Sequence, residues 1–430
     1  MSIFSWSYIK EKWAHAGFQK HFQNLGWLFI ARLGSMVISF IATAYIARGL
    51  GATNYGQLSY AISFVGLFSF LASLGIDQIL YRDLVKYPEQ RNVYMGSAMG
   101  IRLIASVATI IICFICALVV SPKDVSFFLI ILISFSFIFS SFQFISYEFL
   151  ADSRSKYSSI LSLVIILILN LLKVVFIYKG FGVIYLAAVI LLEPILYAVG
   201  YIYLRTRNYG SLKQWKFDKH IAWSILKDSF PLIFASAFFS IYARIDQVML
   251  KNMTDTQSVG LYDSAVRISE LWYFVPTLVI GALFPAVINA KKTSEDLYYQ
   301  RMKKLFILIV SISILTALPT AILSKYIIGI VFGAGFLGAV GILKIYIWSN
   351  IGAALNLLAQ QMLIAENLTK TIAITTFLGM ATNVVLNIYF IPEYGMVGAA
   401  YASTISYVVP FLSLFIFKKT RKILLKLAVS

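Results

Sequence analysis

Arg267 stands in a long apolar stretch, with Asp263 four residues before it and Glu270 three residues after. On a helix those offsets place all three charges on one face. Arg32 is isolated in the same way, about eight residues or ~12 Å of helix inside its apolar run. Arg244 and Asp246 form a second mixed pair, and Arg102, Asp77 and Glu193 lie within or at the edge of other apolar runs. A charge in hydrocarbon costs roughly 2.5–3.5 kcal/mol on insertion scales, so such residues face a bundle interior or a water-filled cavity. Two chemistries fit. Interhelical ion pairs would fix the bundle. Alternatively, guanidinium groups in a hydrated cavity would hold an anionic group, above all a phosphate, which arginine grips bidentately. Arg32 and Arg267 favour the cavity, with Arg244 a weaker member. Arg102 is balanced between a cavity role and snorkelling to the interface. Lys173 and Lys344, close to the outer ends of their runs, read as snorkelling. Glu193, Asp77 and Asp246 are candidates for a titrating carboxylate that couples movement to an ion gradient. Asp263 and Glu270 read as ion-pair partners of Arg267.

Other chemistries find no residues. The three histidines, His15, His21 and His220, stand apart from one another and from any cysteine cluster, so no metal site is expected. Cys113 and Cys116 share one face of an apolar helix and read as small core residues rather than a disulfide. No phosphate-binding GxxxxGK[ST] loop, HExxH or GxSxG occurs, so nucleotide hydrolysis and peptide or ester hydrolysis lack support, and neither a cofactor nor an enzymatic role is expected.

The elements that must carry these residues are set by composition. Hydrophobic residues make up 60% of the 430, charged residues 13%, and mean hydropathy is +0.84. A soluble chain carries about a quarter charged residues. The apolar residues come in blocks long enough to cross a ~30 Å hydrocarbon core. Twelve spans are predicted, near 24–47, 57–76, 95–120, 126–148, 157–178 and 181–204, then 229–250, 263–289, 304–323, 340–363, 370–391 and 396–417. The net charge of +18 would suggest nucleic acid in a soluble protein. Here it follows the loops. With the N-terminus inside, and with Lys304 and Lys370 at the first positions of their spans counted with the loops, 25 of the 36 Lys and Arg lie in cytoplasmic segments, 5 in outer loops and 6 within spans. That bias predicts both termini in the cytoplasm and no nucleic-acid partner. No cleavable signal peptide is expected, because the first apolar block is too long for one. The expected organisation is a cytoplasmic interfacial segment at 1–23, an N-terminal lobe at 24–210, a linker at 211–228, a C-terminal lobe at 229–417 and a basic tail at 418–430. Faint repeats support two six-span halves: Gly56-Gln57-Leu58-Ser59-Tyr60-Ala61 corresponds in place to Gly260-Leu261-Tyr262-Asp263-Ser264-Ala265, and the Ala151–Lys156 connection to Ala365–Lys370.

Three stretches carry a family resemblance: Ala31-Arg32 through Ala47-Arg48-Gly49-Leu50-Gly51-Ala52 with Tyr55-Gly56; Tyr262 to Ile268 with Glu270-Leu271, Pro276 and Phe284-Pro285; and Asn383 to Asn387 with Ile391-Pro392, Gly395 and Gly398-Ala399-Ala400. In order and spacing they resemble the polysaccharide-transporter branch of the multidrug/oligosaccharidyl-lipid/polysaccharide exporter superfamily, and within it the Wzx-type flippases. The resemblance implies an all-α membrane protein of two six-helix bundles, like the multidrug MATE transporters. It implies an undecaprenyl-diphosphate-linked O-antigen or capsule unit as substrate, moved from the cytoplasmic to the periplasmic leaflet of a bacterial inner membrane by alternating access. A glycan polymerase and a chain-length regulator would be partners, and the protein itself a monomer. Arg32 and Arg267 match positions at which related lipid-linked precursor flippases carry important arginines. Those relatives bear a further Arg-Asp pair in the first span, where this chain has Ile38-Ser39. Rival readings are a small-molecule antiporter, which would need an acidic cavity, and a membrane glycan polymerase, which would need a large outer loop.

Overall fold

The computed structural model describes residues 16–121 and 123–429, and the expected interfacial residues Trp6, Tyr8, Lys10, Lys12 and Trp13 lie outside them. Every element among the described residues is a helix. In lipid the backbone has no water to bond, so each apolar run must close its hydrogen bonds within itself. Among the described residues nine helices are long and apolar enough to cross a membrane, and the pair Ala334–Tyr346 and Ser349–Ala365, bent by 47°, is so only when taken together. Two of the nine are double. The backbone leaves helical geometry at Gly51 (φ 72°) inside Ala16–Leu67 and at Gly395 (φ 56°) inside Thr369–Ser413. Positive φ is comfortable only for glycine, and both glycines fall where the hydropathy pattern predicts outer connections. The two sides of each break fall on separate predicted spans. Large apolar side chains such as Val119 (81%), Ile330 (74%) and Ile104 (72%) are exposed, as lipid-facing positions require.

Contacts divide the chain into two compact units that are discontinuous in sequence. Among the described residues, the first holds 16–43, 69–117 and 131–233. Its core packs Leu80 and Leu84 of helix Ile76–Lys86 against Met95, Ala98, Phe144, Phe149 and Ile225. Helix Val183–Tyr209 runs on through Pro194, and helix Lys219–Met253 begins inside the expected linker. Beside that linker Arg205 and Glu148 form an ion pair at 3.5 Å, both fully buried, with Arg205 also donating to Asn92 at 2.7 Å. Arg205 lies one residue past the predicted span 181–204, on a helix that continues to Tyr209.

The second unit holds 44–68, 118–130 and 234–430. Met302 and Ile309 of helix Glu295–Ile322 pack against Leu358 and Met362 of Ser349–Ala365. The basic tail is an amphipathic helix, Lys418–Val429, that docks on this core through Leu424 and Leu427. Elsewhere in the unit the two repeat motifs meet. A Cβ at Gly56 would lie 1.9 Å from the Thr256 carbonyl oxygen, and one at Gly260 would lie 2.0 Å from that of Ala52. Only glycine permits two backbones to approach so closely. This crossing brings Tyr55 and Ser59 against Asp263.

Candidate functional site

In the second unit Asp263 is only 1% exposed. Its Oδ2 accepts from Tyr55 Oη at 2.5 Å and Ser59 Oγ at 3.1 Å, and its Oδ1 from Gln247 Nε2 at 2.8 Å. Ser63 in turn donates to Gln247 Oε1. Arg267, one turn further along the same helix, donates to Asp263 from Nε at 3.4 Å. Its side chain is 32% exposed, and neither Nη makes a hydrogen bond among the described residues. The carboxylate therefore holds the guanidinium from behind and leaves its fork open. Arg244 is half-buried, with its stem beside Gly66 and no carboxylate within ion-pairing distance among the described residues. Glu270 is half-buried and likewise makes no ion pair there. The offsets of Asp263, Arg267 and Glu270 were legible in the sequence; Tyr55, Ser59 and Gln247 were not identified, although Tyr55 and Ser59 belong to the repeat motif.

The expected Arg244–Asp246 pair does not form. Residues two apart point to nearly opposite sides of a helix. Asp246 instead turns inward, where it is 7% exposed. It accepts from Tyr262 Oη at 2.8 Å, from Asn387 Nδ2 at 2.5 Å and from Ser403 Oγ. Asn383 Oδ1 accepts from Asn387 at 3.2 Å. No lysine or arginine among the described residues lies within ion-pairing distance of Asp246, so burial of its charge is balanced only by neutral donors.

The remaining candidates lie in the first unit. Arg102 is buried (5%) and pairs with Asp77, its guanidinium 5.6 Å from the centre of the Phe144 ring. Its charge is met by a carboxylate from another helix, so it is not an unpaired cation. Lys173 meets Glu193 at 4.0 Å, so its charge is met by a carboxylate rather than by snorkelling alone. Lys344 is exposed. Arg32 is exposed and makes no ion pair among the described residues. Ser39, at the place where the related flippases carry the second charged pair, is 3.5 Å from Asn170 Nδ2. The free cysteines Cys113 and Cys116 are buried and half-buried. Among the described residues no group of three metal-ligating side chains occurs.

Comparison with known proteins adds to this geometry. A family model described as polysaccharide biosynthesis protein matches residues 21–291. A curated relative, the probable low-salt glycan biosynthesis flippase Agl15 of Haloferax volcanii, is 23% identical over 393 residues, covering 89% of this chain and 80% of its own. Among solved structures, a multidrug resistance MATE family transporter of the MOP superfamily, in an inward-facing conformation, matches with TM-score 0.69 and 15% identity over 92% of this chain and 96% of its own. The lipid II flippase MurJ, in an inward closed conformation, matches with TM-score 0.67 and 20% identity over 93% and 89%. These two likenesses establish the fold, which this chain shares with both transporters.

Proposed function

The chain belongs to the family described as polysaccharide biosynthesis protein, and on that premise we propose that it is a flippase for a lipid-linked glycan. The substrate is an oligosaccharide unit on undecaprenyl diphosphate, for O-antigen, capsule or another surface polysaccharide. The unit passes from the cytoplasmic to the outer leaflet of the cytoplasmic membrane by alternating access of two lobes.

The observation that carries this reading is the open fork of Arg267. A diphosphate bears about two negative charges, and its transfer through hydrocarbon without compensation is prohibitive. A guanidinium fixed at Nε by a buried carboxylate presents both Nη groups in the planar geometry that phosphate accepts. Arg244, in the same unit and without a carboxylate partner among the described residues, supplies further positive charge, and Arg32 is an exposed cation of the first unit. Arg102, neutralised by Asp77, is assigned no diphosphate contact.

Three carboxylates compete for the coupling role, and their surroundings separate them. Glu193 faces Lys173 and Asp77 faces Arg102. Asp246 alone of the three is nearly buried with no cationic partner, a setting in which a proton or a small cation must complete the balance. We assign coupling to Asp246. A cationic-drug antiporter would need open, unpaired acids. Asp246 and Asp263 are instead buried and enclosed by hydrogen-bond donors, and Glu270, half-buried without an ion pair, stands three residues from Arg267 on the same helix, which favours the flippase.

The test is reconstitution. Proteoliposomes containing the wild-type protein should expose added undecaprenyl-diphosphate-linked oligosaccharide to an external enzyme, and Arg267→Ala should stop this while inserting normally. Normal flipping by the Arg32→Ala/Arg267→Ala double variant would refute the cationic-site reading.

A further inference from the structure

The first unit contains a cavity of about 290 Å³ that the diphosphate and coupling assignments leave unused. It is lined by Asp77, Arg102, Gln143 and Tyr147 together with serines, including Ser73 and Ser140. Its walls are the places where two apolar segments lose regular helix. One breaks between Ser69–Ser73 and Ile76–Lys86, where Leu74 (φ 50°) and Gly75 (φ 61°) are both left-handed. The other tightens into a 3-10 turn at Ser141–Ile145. Irregular backbone at membrane depth is tolerated where it lines a cavity, and interrupted helices mark binding sites in transporters. A leucine held in left-handed geometry is strained, and such strain concentrates at functional positions.

The chemistry of the lining narrows the ligand. Asp77 and Arg102 are the charged groups of the cavity and cancel one another. A diphosphate would meet the Asp77 carboxylate, and a cation would meet the Arg102 guanidinium. A neutral polyhydroxyl ligand suits both. Most lining serines are already spent: Ser73 donates to the Phe70 carbonyl at 3.3 Å, Ser140 to Ser136 at 2.8 Å and Ser141 to Phe137 at 3.2 Å. The side-chain amide of Gln143 and the hydroxyl of Tyr147 make no hydrogen bond among the described residues, and the Asp77 side chain is 33% exposed. A carboxylate, an amide and a phenol in one small cavity can donate to and accept from vicinal hydroxyls. The volume lies just below the roughly 300–1,000 Å³ range of small-ligand pockets, which limits the guest to one sugar ring.

We propose that this cavity binds a single pyranose of the lipid-linked glycan, with Asp77, Gln143 and Tyr147 as its hydrogen-bonding groups. The proposal rests on the flippase reading and extends it to the sugar. Its test compares affinities of the full-length protein in detergent for bare undecaprenyl diphosphate and for the same lipid bearing one hexose, N-acetylhexosamine or hexuronic acid. At least one sugar-bearing lipid should bind about tenfold or more tighter than the bare lipid. Gln143→Leu and Tyr147→Phe should each remove most of that gain and leave bare-lipid affinity within about twofold. Melting temperature in the absence of lipid checks that both variants fold. If bare lipid binds and no sugar improves it, the cavity proposal is overturned and the flippase reading stands. A sugar gain that survives both substitutions, or an equal loss for bare and sugar-bearing lipid, also overturns it. If no lipid binds at all, the flippase reading fails and takes the cavity proposal with it.

Discussion

Replacing Arg267 by alanine tests the diphosphate assignment, provided its two consequences are separated. The free Nη groups offer two charge-assisted hydrogen bonds, each worth about 1.5–3 kcal/mol. With the side chain 32% exposed, the low end applies, giving about 3 kcal/mol or roughly a hundredfold in affinity for undecaprenyl diphosphate. Arg267→Lys keeps the charge and loses the fork, and should cost about tenfold. The second consequence is structural. Removing the arginine leaves Asp263 buried, and breaking a buried pair costs up to about 3–5 kcal/mol. Here Tyr55, Ser59 and Gln247 still donate to that carboxylate at 2.5, 3.1 and 2.8 Å, so the loss should be smaller. Asp263→Asn removes the stranded charge. The measurement is therefore a double-mutant cycle: lipid affinity and melting temperature for the wild type, Asp263→Asn, Arg267→Ala and the double variant. The affinity loss on removing Arg267 should be the same in both backgrounds, and the stability loss should appear chiefly where Asp263 remains acidic. If the double variant binds bare lipid within about twofold of Asp263→Asn, Arg267 does not hold the diphosphate and the reasoning fails.

Asp246→Asn should leave lipid affinity unchanged and abolish the dependence of flipping on an imposed proton or sodium gradient; unchanged gradient dependence would remove Asp246 from the coupling role. Gly260→Ala should destabilise the protein by about 2 kcal/mol or more, because its Cβ would sit 2.0 Å from the Ala52 carbonyl oxygen and the backbones must part. Gly281→Ala, with nothing within 4 Å, should cost little in the same melting assay. Asp152, in the connection beside helix Ser146–Ala151, is pushed up by partial burial but held below the usual carboxylate range by hydrogen bonds from Arg91 and Tyr209. Its contribution is thus present above its ordinary value of 3.8 and lost as pH falls below that. Asp152→Asn should lower the melting temperature at pH 7 and flatten the acid limb below pH 3.8, and an unchanged limb would count against the assignment.

The spans were legible because hydrocarbon imposes a length and a composition on every helix that crosses it. The breaks were legible too, since Gly51 and Gly395 stand between apolar runs and take the positive φ that other residues avoid. The charged face of Asp263, Arg267 and Glu270 followed from helical spacing. What spacing cannot supply is the partner across helices. Asp246 was matched with Arg244 because they are near in sequence, whereas its ligands Asn387 and Ser403 come from 141 and 157 residues away. Arg102 looked undecided because Asp77, 25 residues earlier, lies beyond the predicted end of its span. Arg205 lies past the predicted end of its span, and helix Val183–Tyr209 runs on to carry it against Glu148.

The three acids differ in one physical respect that separates binding from coupling. Asp77 pairs with Arg102 and Asp263 with Arg267, so each charge is met by another charge and the balance does not depend on a mobile ion. Moving a proton to either carboxylate would strand a guanidinium, an unfavourable exchange in a low-dielectric interior. Asp246 has no such partner. Tyr262, Asn387 and Ser403 can reorient to serve either a proton-bearing carboxyl or a carboxylate with a cation beside it. Gain or loss of one external charge therefore disturbs no ion pair elsewhere. It does change the hydrogen bonds that tie helix Lys219–Met253 to Thr256–Leu271 and Thr369–Ser413. Arg267 lies on Thr256–Leu271, the same helix as Tyr262, five residues and little more than one turn away. On the assignments proposed above, an ion that binds or leaves at Asp246 would act on the helix that carries Arg267, which is the link a gradient-driven flippase requires.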